Sequence, residues 1–223
     1  MDFRNSVNTS RELALITTYP ALFVSHGAPD IVISGHPAAT ALRDLGQQFA
    51  APRAILMISA HWLTDPVTIT CGEAPETIHD FGGFPKPLYQ IQYPAMGDSR
   101  LATEIAGRLE TVGIAVRLDR HRGLDHGAWT PLLLMYPDAN VPVVQISLPA
   151  SDLDACARLG EALAPLRKKR NIDYWLRRLG TQPAPAEFTR YHRALGAGFR
   201  KLAPGNRRRQ SLRSAQHSSG FAL

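Results

Sequence analysis

The sequence predicts an α/β domain: a largely parallel central sheet with helices on both faces, in three layers. Three observations carry this expectation. Short, wholly apolar runs recur along the chain, as expected of strands buried on both faces. Between them lie segments whose apolar residues recur at helical spacing, as in a helix with one buried side. The two kinds alternate, which is the order of a parallel sheet whose crossovers are helices.

The elements follow in order. Residues 21–25, Ala-Leu-Phe-Val-Ser, read as a buried strand that stops at His26-Gly27. Thr40 to Phe49 reads as a helix. Residues 54–60, Ala-Ile-Leu-Met-Ile-Ser-Ala, form a second strand ending at His61-Trp62, and Val67 to Cys71 a third. Residues 72–97 break the alternation with Phe81-Gly-Gly-Phe-Pro-Lys-Pro87, which predicts a long structured loop of the kind that lines sites. A helix starts near Asp98 or Ser99, where Leu101, Ile105 and Leu109 recur at fourfold spacing. Ile114 to Leu118 is a strand, Trp129 to Met135 an apolar helix, and Val143 to Leu148 a further strand. Ser151, with Asp154 three residues on, starts a last helix whose apolar side is Leu153, Ala157, Leu159 and Leu163.

Composition narrows the class. A chain of 223 residues with 44% apolar content suits one domain with a sizeable core. No apolar run reaches the roughly 18 residues of a membrane span, and Met1 to Pro20 lacks the pattern of a secretory leader. Cys71 and Cys156 are far apart and read as reduced thiols, so a cytoplasmic protein is expected. The net charge of +6 is unevenly divided. Residues 167–223 hold fourteen Lys and Arg against Asp173 and Glu187, while residues 1–166 carry a net negative charge. Such a break marks a domain boundary, a nucleic-acid-binding arm or a segment of different origin. The expected division is a catalytic core over 1–166 and a basic tail over 167–223 without a fold of its own. Phosphate contacts by Arg167 to Arg170 and Arg207 to Arg209 would give nonspecific nucleic-acid binding at most, since Tyr174, Trp175 and Tyr191 show no stacking pattern.

The histidines carry the chemistry. His26 and His61 both follow apolar runs, at the strand ends where open α/β sheets collect ligands. Neutral imidazole is the commonest transition-metal ligand. A single histidine there is more often a polar residue where a strand meets solvent; two at equivalent ends point toward a site. His79-Asp80 and Asp125-His126 add two acid–imidazole pairs in glycine-flanked segments, and His126 sits where a helix N-terminus favours the neutral form. His36 and His121 read as surface residues. A metal-free remnant or binding domain with a basic tail is the alternative, and it differs in needing no ion at His26 and His61.

Five segments together resemble a known family. They are Pro20-Ala-Leu-Phe-Val-Ser-His26-Gly-Ala-Pro29, Ile58-Ser-Ala-His61-Trp62, His79-Asp-Phe-Gly-Gly-Phe-Pro85, Gly123-Leu-Asp-His126-Gly-Ala-Trp129 and Pro142-Val-Val-Gln-Ile-Ser-Leu148. In this order they are similar to the DOPA-type class III extradiol dioxygenases of the LigB superfamily, over about residues 18–167. The resemblance implies a helix-covered central sheet. It implies Fe(II), or Zn(II) at the same place, bound by His26 and His61. It implies His79 and His126 as acid–base or hydrogen-bonding residues, and a substrate pocket that includes Asp80, Phe84 and Trp129. The implied reaction opens a catechol ring with O₂, beside rather than between its hydroxyls.

The family pattern continues with Gly-Ser-Gly, His-Asn and a late Glu-His pair that supplies a third protein ligand; this sequence shows neither segment. Read one nucleotide later, Asn171-Ile-Asp-Tyr-Trp175 can encode Ile-Leu-Ile-Ile-Gly. Leu176 to Ala184 can then encode Ser-Gly-Gly-Leu-Ala-His-Asn-Leu-Arg. A frameshift near the charge break is therefore expected. It would remove an apolar strand from the sheet, leave an unpaired edge and impair the enzyme.

Overall fold

The computed structural model describes residues 19–150 and 153–167, and the backbone of 172–178. Six strands form one sheet: β1 (Ala21–Ser25), β2 (Ala54–Thr64), β3 (Val67–Thr70), β4 (Val116–Asp119), β5 (Val143–Pro149) and β6 (Ile172–Arg178). Their spatial order is β1-β6-β2-β5-β3-β4. Every neighbouring pair is parallel except β3 with β5. The largely parallel expectation therefore holds, with one antiparallel step.

Helices α1 (Pro37–Gln47), α2 (Ser99–Thr111), α3 (His126–Met135) and α4 (Leu153–Leu163) cover the two faces. β2 shows why its run had to be continuous. Ala54, Leu56 and Ile58 pack with Leu101, Ile105 and Leu109 of α2 and with Cys156, Leu159 and Leu163 of α4. Ile55 and Met57 face the other way, onto Leu42 of α1 and Trp129 and Leu132 of α3. Alternate residues of a strand point to opposite faces, so burial on both sides demands apolar side chains at every position. Each wholly buried Leu or Ile contributes roughly 1.5–3 kcal/mol.

Element ends differ from expectation where capping decides them. His36 accepts a hydrogen bond from the Ala38 N–H at 3.1 Å and starts α1 three residues earlier than the periodicity predicts. Asp98 caps α2 through the Leu101 N–H at 2.8 Å, as expected. α3 begins at His126 rather than Trp129, because Asp125 caps it there. The expected cap at Ser151 lies outside the described residues. Cys71 and Cys156 are buried, and among the described residues neither forms a disulfide. Among the described residues no helix is long and apolar enough to cross a membrane.

β6 corrects one expectation. The slot between β1 and β2 is filled by Ile172–Arg178, read in frame, with Ala21 opposite Tyr174 and Ala54 opposite Ile172. Sheet pairing uses backbone N–H and C=O groups that every frame supplies, and Ile172, Tyr174 and Trp175 are strand-favouring residue types. The sheet thus extends past the boundary expected at 166/167, and no unpaired edge is left between β1 and β2. The remainder of the basic tail, 179–223, lies outside the described residues.

Candidate metal centre

β1 and β2 run parallel on either side of β6, so their carboxyl ends open onto one crevice. His26 follows β1 directly. Gly27, at φ 61°, takes the left-handed turn that carries the chain away behind it. His61 does not follow β2, as expected; it lies within it. The pairing of β2 with β5 jumps from Ile58–Ile146 to Leu63–Leu148, so residues 59–62 bulge out of the ladder. A bulge re-aims side chains that a regular strand would alternate between faces. Here it leaves His61 exposed at the crevice while Trp62 is buried.

His126 arrives from a third direction, at the first turn of α3. Its segment is fixed by a single parallel bridge between Thr77 and Leu124, with the Ile78 N–H donating to the Leu124 carbonyl and the Leu124 N–H to that of Glu76. Gly123 makes this possible, since a Cβ there would sit 2.2 Å from the Glu76 carbonyl oxygen.

The three imidazoles converge. Ring centroids are 5.9 Å apart for His26 and His61, 5.0 Å for His26 and His126, and 4.0 Å for His61 and His126. One ligand atom from each lies within 4.8 Å of the other two. His26 is wholly buried, and among the described residues neither of its ring nitrogens has a hydrogen-bond partner. Buried polar atoms are nearly always paired, so these unpaired nitrogens fit an ion that would take one of the lone pairs. Partial burial of the ring against the crevice wall and the neighbouring His126 push the His61 imidazole below its ordinary pKa, toward the neutral form that binds metal.

A polar network stands behind the cluster. Asp125 is wholly buried. It accepts from the Ser59 hydroxyl at 2.6 Å, from the Gln145 side-chain amide, from Arg122 at 3.4 Å and from the Ala128 N–H at 3.2 Å. Ser59 in turn accepts the His61 N–H at 3.2 Å. Asp80 accepts both the backbone N–H of His126 at 2.9 Å and a bond from its Nδ1 at 2.7 Å. Burial alone would raise the Asp80 pKa, but the bonds from His126 outweigh it and hold the carboxyl at about 2.

The remaining expected residues form an aromatic wall. His79 is not in the metal cluster; its Nε2 bonds the Ile91 carbonyl at 3.0 Å. Its ring contacts Phe81 at 5.7 Å, Tyr89 at 6.2 Å and Trp129 at 5.7 Å. Phe81 meets His126 edge-on at 5.6 Å, and Phe84 meets Phe81 at 5.5 Å. Trp129 is wholly buried, with its indole N–H on the Ile78 carbonyl, so it backs the wall instead of presenting a surface. Sequence reasoning missed Phe81 and Tyr89, and also Ser59 and Gln145. The last two carried a signal, as polar residues inside the otherwise apolar strands Ile-Leu-Met-Ile-Ser-Ala and Val-Val-Gln-Ile.

Comparison with known proteins agrees with this geometry. The family described as catalytic LigB subunit of aromatic ring-opening dioxygenase matches residues 15–175. The chain is 43% identical over 153 residues to a 4,5-DOPA dioxygenase extradiol of Escherichia coli K12, covering 68% of this chain and 56% of that protein. It is 45% identical over 151 residues to one from Beta vulgaris, covering 65% and 56%. The chain thus spans little more than half the length of these relatives. An uncharacterized Escherichia coli K12 protein of known crystal structure superposes with a TM-score of 0.59 at 34% identity, over 71% of this chain and 59% of that one.

Proposed function

The chain belongs to the LigB family of aromatic ring-opening dioxygenases, and on that premise we propose that its histidine crevice is an extradiol ring-opening site. The substrate is a catechol of the DOPA type, the co-substrate is O₂, and the site is a cytoplasmic one. Both oxygen atoms enter the product as the ring bond beside the hydroxyls breaks. The observation that carries the reading is the orphaned, wholly buried His26 facing His61 in a cluster of three imidazoles.

His26 and His61 would hold the non-haem metal, Fe(II) for ring opening or Zn(II) at the same place. When bound, the ion supplies Lewis acidity toward the catechol oxygens and a route for electrons from ring to O₂. The chain supplies the rest. His61 is the exposed member of the cluster, so substrate enters on its side. Phe81 and Phe84 offer ring faces and edges to an aromatic guest beside His126. The Ile91 carbonyl can only accept, so Nε2 of His79 carries hydrogen and Nδ1 of the neutral ring offers a lone pair, as a proton acceptor requires.

The test is to load the protein anaerobically with Fe(II), add DOPA or a simpler catechol, and admit oxygen. A yellow ring-opened semialdehyde should form, and His26→Ala should abolish it. No colour from the loaded wild type with any catechol would overturn the reading.

A further inference from the structure

We infer that β4 is the contact edge of a symmetric homodimer, in which the strand pairs antiparallel with a second copy of itself and Leu118 lies opposite the second copy's Leu118. β4 stands at the opposite edge of the sheet from β1, so the inference is independent of the metal reading. Among the described residues no strand pairs with its outer side. A cavity of about 580 Å³ opens beside it, lined by Arg117, Leu118 and Asp119 of β4 and by Ser99 and Thr103 of α2. An open sheet edge is a template for a further strand.

Backbone and charge together fix the register. The Cys71 N–H donates to the Asp119 carbonyl at 2.8 Å, so the main-chain groups of Asp119 face β3. Successive residues of a strand turn these groups to alternate sides, so those of Arg117 also face β3, and those of Val116 and Leu118 face outward. Only outward residues can exchange hydrogen bonds with an added strand. Leu118 opposite Leu118 is such a pair, with both N–H groups donating across the two-fold axis. It sets each Arg117 opposite the other copy's Asp119. The two nearest registers set Arg117 opposite Arg117, or Asp119 opposite Asp119. Opposite charges across a pair of strands stabilise it and like charges destabilise it, so the charges select one register.

Charges on an edge strand can also keep other strands away. A guard of one sign repels every copy, whereas an Arg and an Asp two residues apart complement their own reverse. Asp119 accepts the His121 and Arg122 N–H groups through Oδ1, at 2.8 and 2.9 Å, which leaves Oδ2 to accept from a guanidinium. The other face of the strand is apolar. Val116 packs against the core beneath α2 and α4. Leu118, two residues on, shares that face but is 41% exposed. In the dimer each Leu118 covers the other, and two six-stranded sheets become one.

The experiment is sedimentation equilibrium on the full-length chain, which should give twice the 24.5 kDa of one copy. Arg117→Glu and Asp119→Lys each set like charges opposite one another, and each alone should weaken dimerisation at least tenfold. Mixed in equal amounts, the two variants should pair as wild type does, because each offers the charge the other lacks. A merely structural defect would not be repaired by mixing. The register is read by cross-linking. Leu118→Cys should link to itself under mild oxidation, since Cα atoms of a bonded pair lie about 5.5 Å apart, within disulfide reach. Val116→Cys should not, because the register offsets those positions by about four residues along the strand. A monomeric wild type overturns the inference. So does a dimer that Arg117→Glu leaves intact, which places the interface elsewhere, and so do mixed variants that stay monomeric. If Asp119→Lys does not fold, for want of the acceptor that holds His121 and Arg122, Leu118→Cys decides: no cross-link, or one through Val116→Cys instead, overturns the pairing.

Discussion

Asp80 joins a charge to the His126 imidazole, and its protonation has a readable consequence in the metal-free protein. Burial would raise its pKa, but hydrogen bonds from His126 hold it at about 2, below the ordinary carboxyl range. A carboxyl whose pKa is depressed on folding contributes stability that is fully present above its unfolded pKa and is lost as pH falls through the folded one. The window is therefore from about pH 4 down to about pH 2. Urea unfolding should show wild type more stable than Asp80→Asn at pH 6, with the gap closing toward pH 2. A gap that stays constant with pH would mean that Asp80 contributes nothing through its charge. The pairing was only half legible beforehand. His79-Asp80 and Asp125-His126 stand out as neighbours in sequence, yet the working pair is Asp80 with His126, across 46 residues. Adjacent residues point apart; the loop that brings Asp80 back to α3 leaves no local mark.

At the scale of elements, the site depends on where two irregularities meet. The β2 bulge presents His61, and the Asp125 cap starts α3 at His126; Asp125 and Ser59 fasten one to the other. Asp125→Ala removes a cap, worth about 1 kcal/mol, and leaves the buried Ser59 and Gln145 side chains without their acceptor. Each such orphan costs about 1–3 kcal/mol, so a loss of roughly 3–7 kcal/mol is expected in denaturant unfolding. Metal affinity should fall beside it, because Ser59, which accepts the His61 N–H, is no longer held by Asp125. A variant within 1 kcal/mol of wild type would show that the network is dispensable. Strand and helix existence was legible, because burial on both faces forces continuous apolar runs and one-sided burial forces helical spacing. The bulge was not. Ser59 to Trp62 read as the end of a strand, since periodicity cannot tell a terminus from a ladder that skips residues and resumes at Leu63.

Across the whole molecule, the crevice is shared between the core and the segment that follows the charge break. β6 lies between the two histidine-bearing strands, and its last residue, Arg178, pairs with Ser25, next to His26. β6 therefore ends at the rim of the proposed metal site. In the sequence as it stands, residues 179–223 hold eight Lys and Arg against the single acid Glu187. The shifted frame would offer the Gly-Ser-Gly and His-Asn pattern of the family at the same place. We propose that this changes the reaction more than the fold, because backbone pairing of β6 is indifferent to frame while pocket chemistry is not. A gene shifted by one nucleotide from codon 171 should give a protein that binds metal at the same His26 and His61. It should turn over a catechol faster by roughly tenfold or more, since supporting groups around a metal act at that scale. Steady-state turnover of the two Fe(II)-loaded proteins, normalised to bound iron, measures it. Equal turnover would sink the frameshift account and leave residues 19–178 as the whole of the catalytic apparatus. A shifted protein that alone binds metal would instead show that the ligand His26 and His61 need lies past β6.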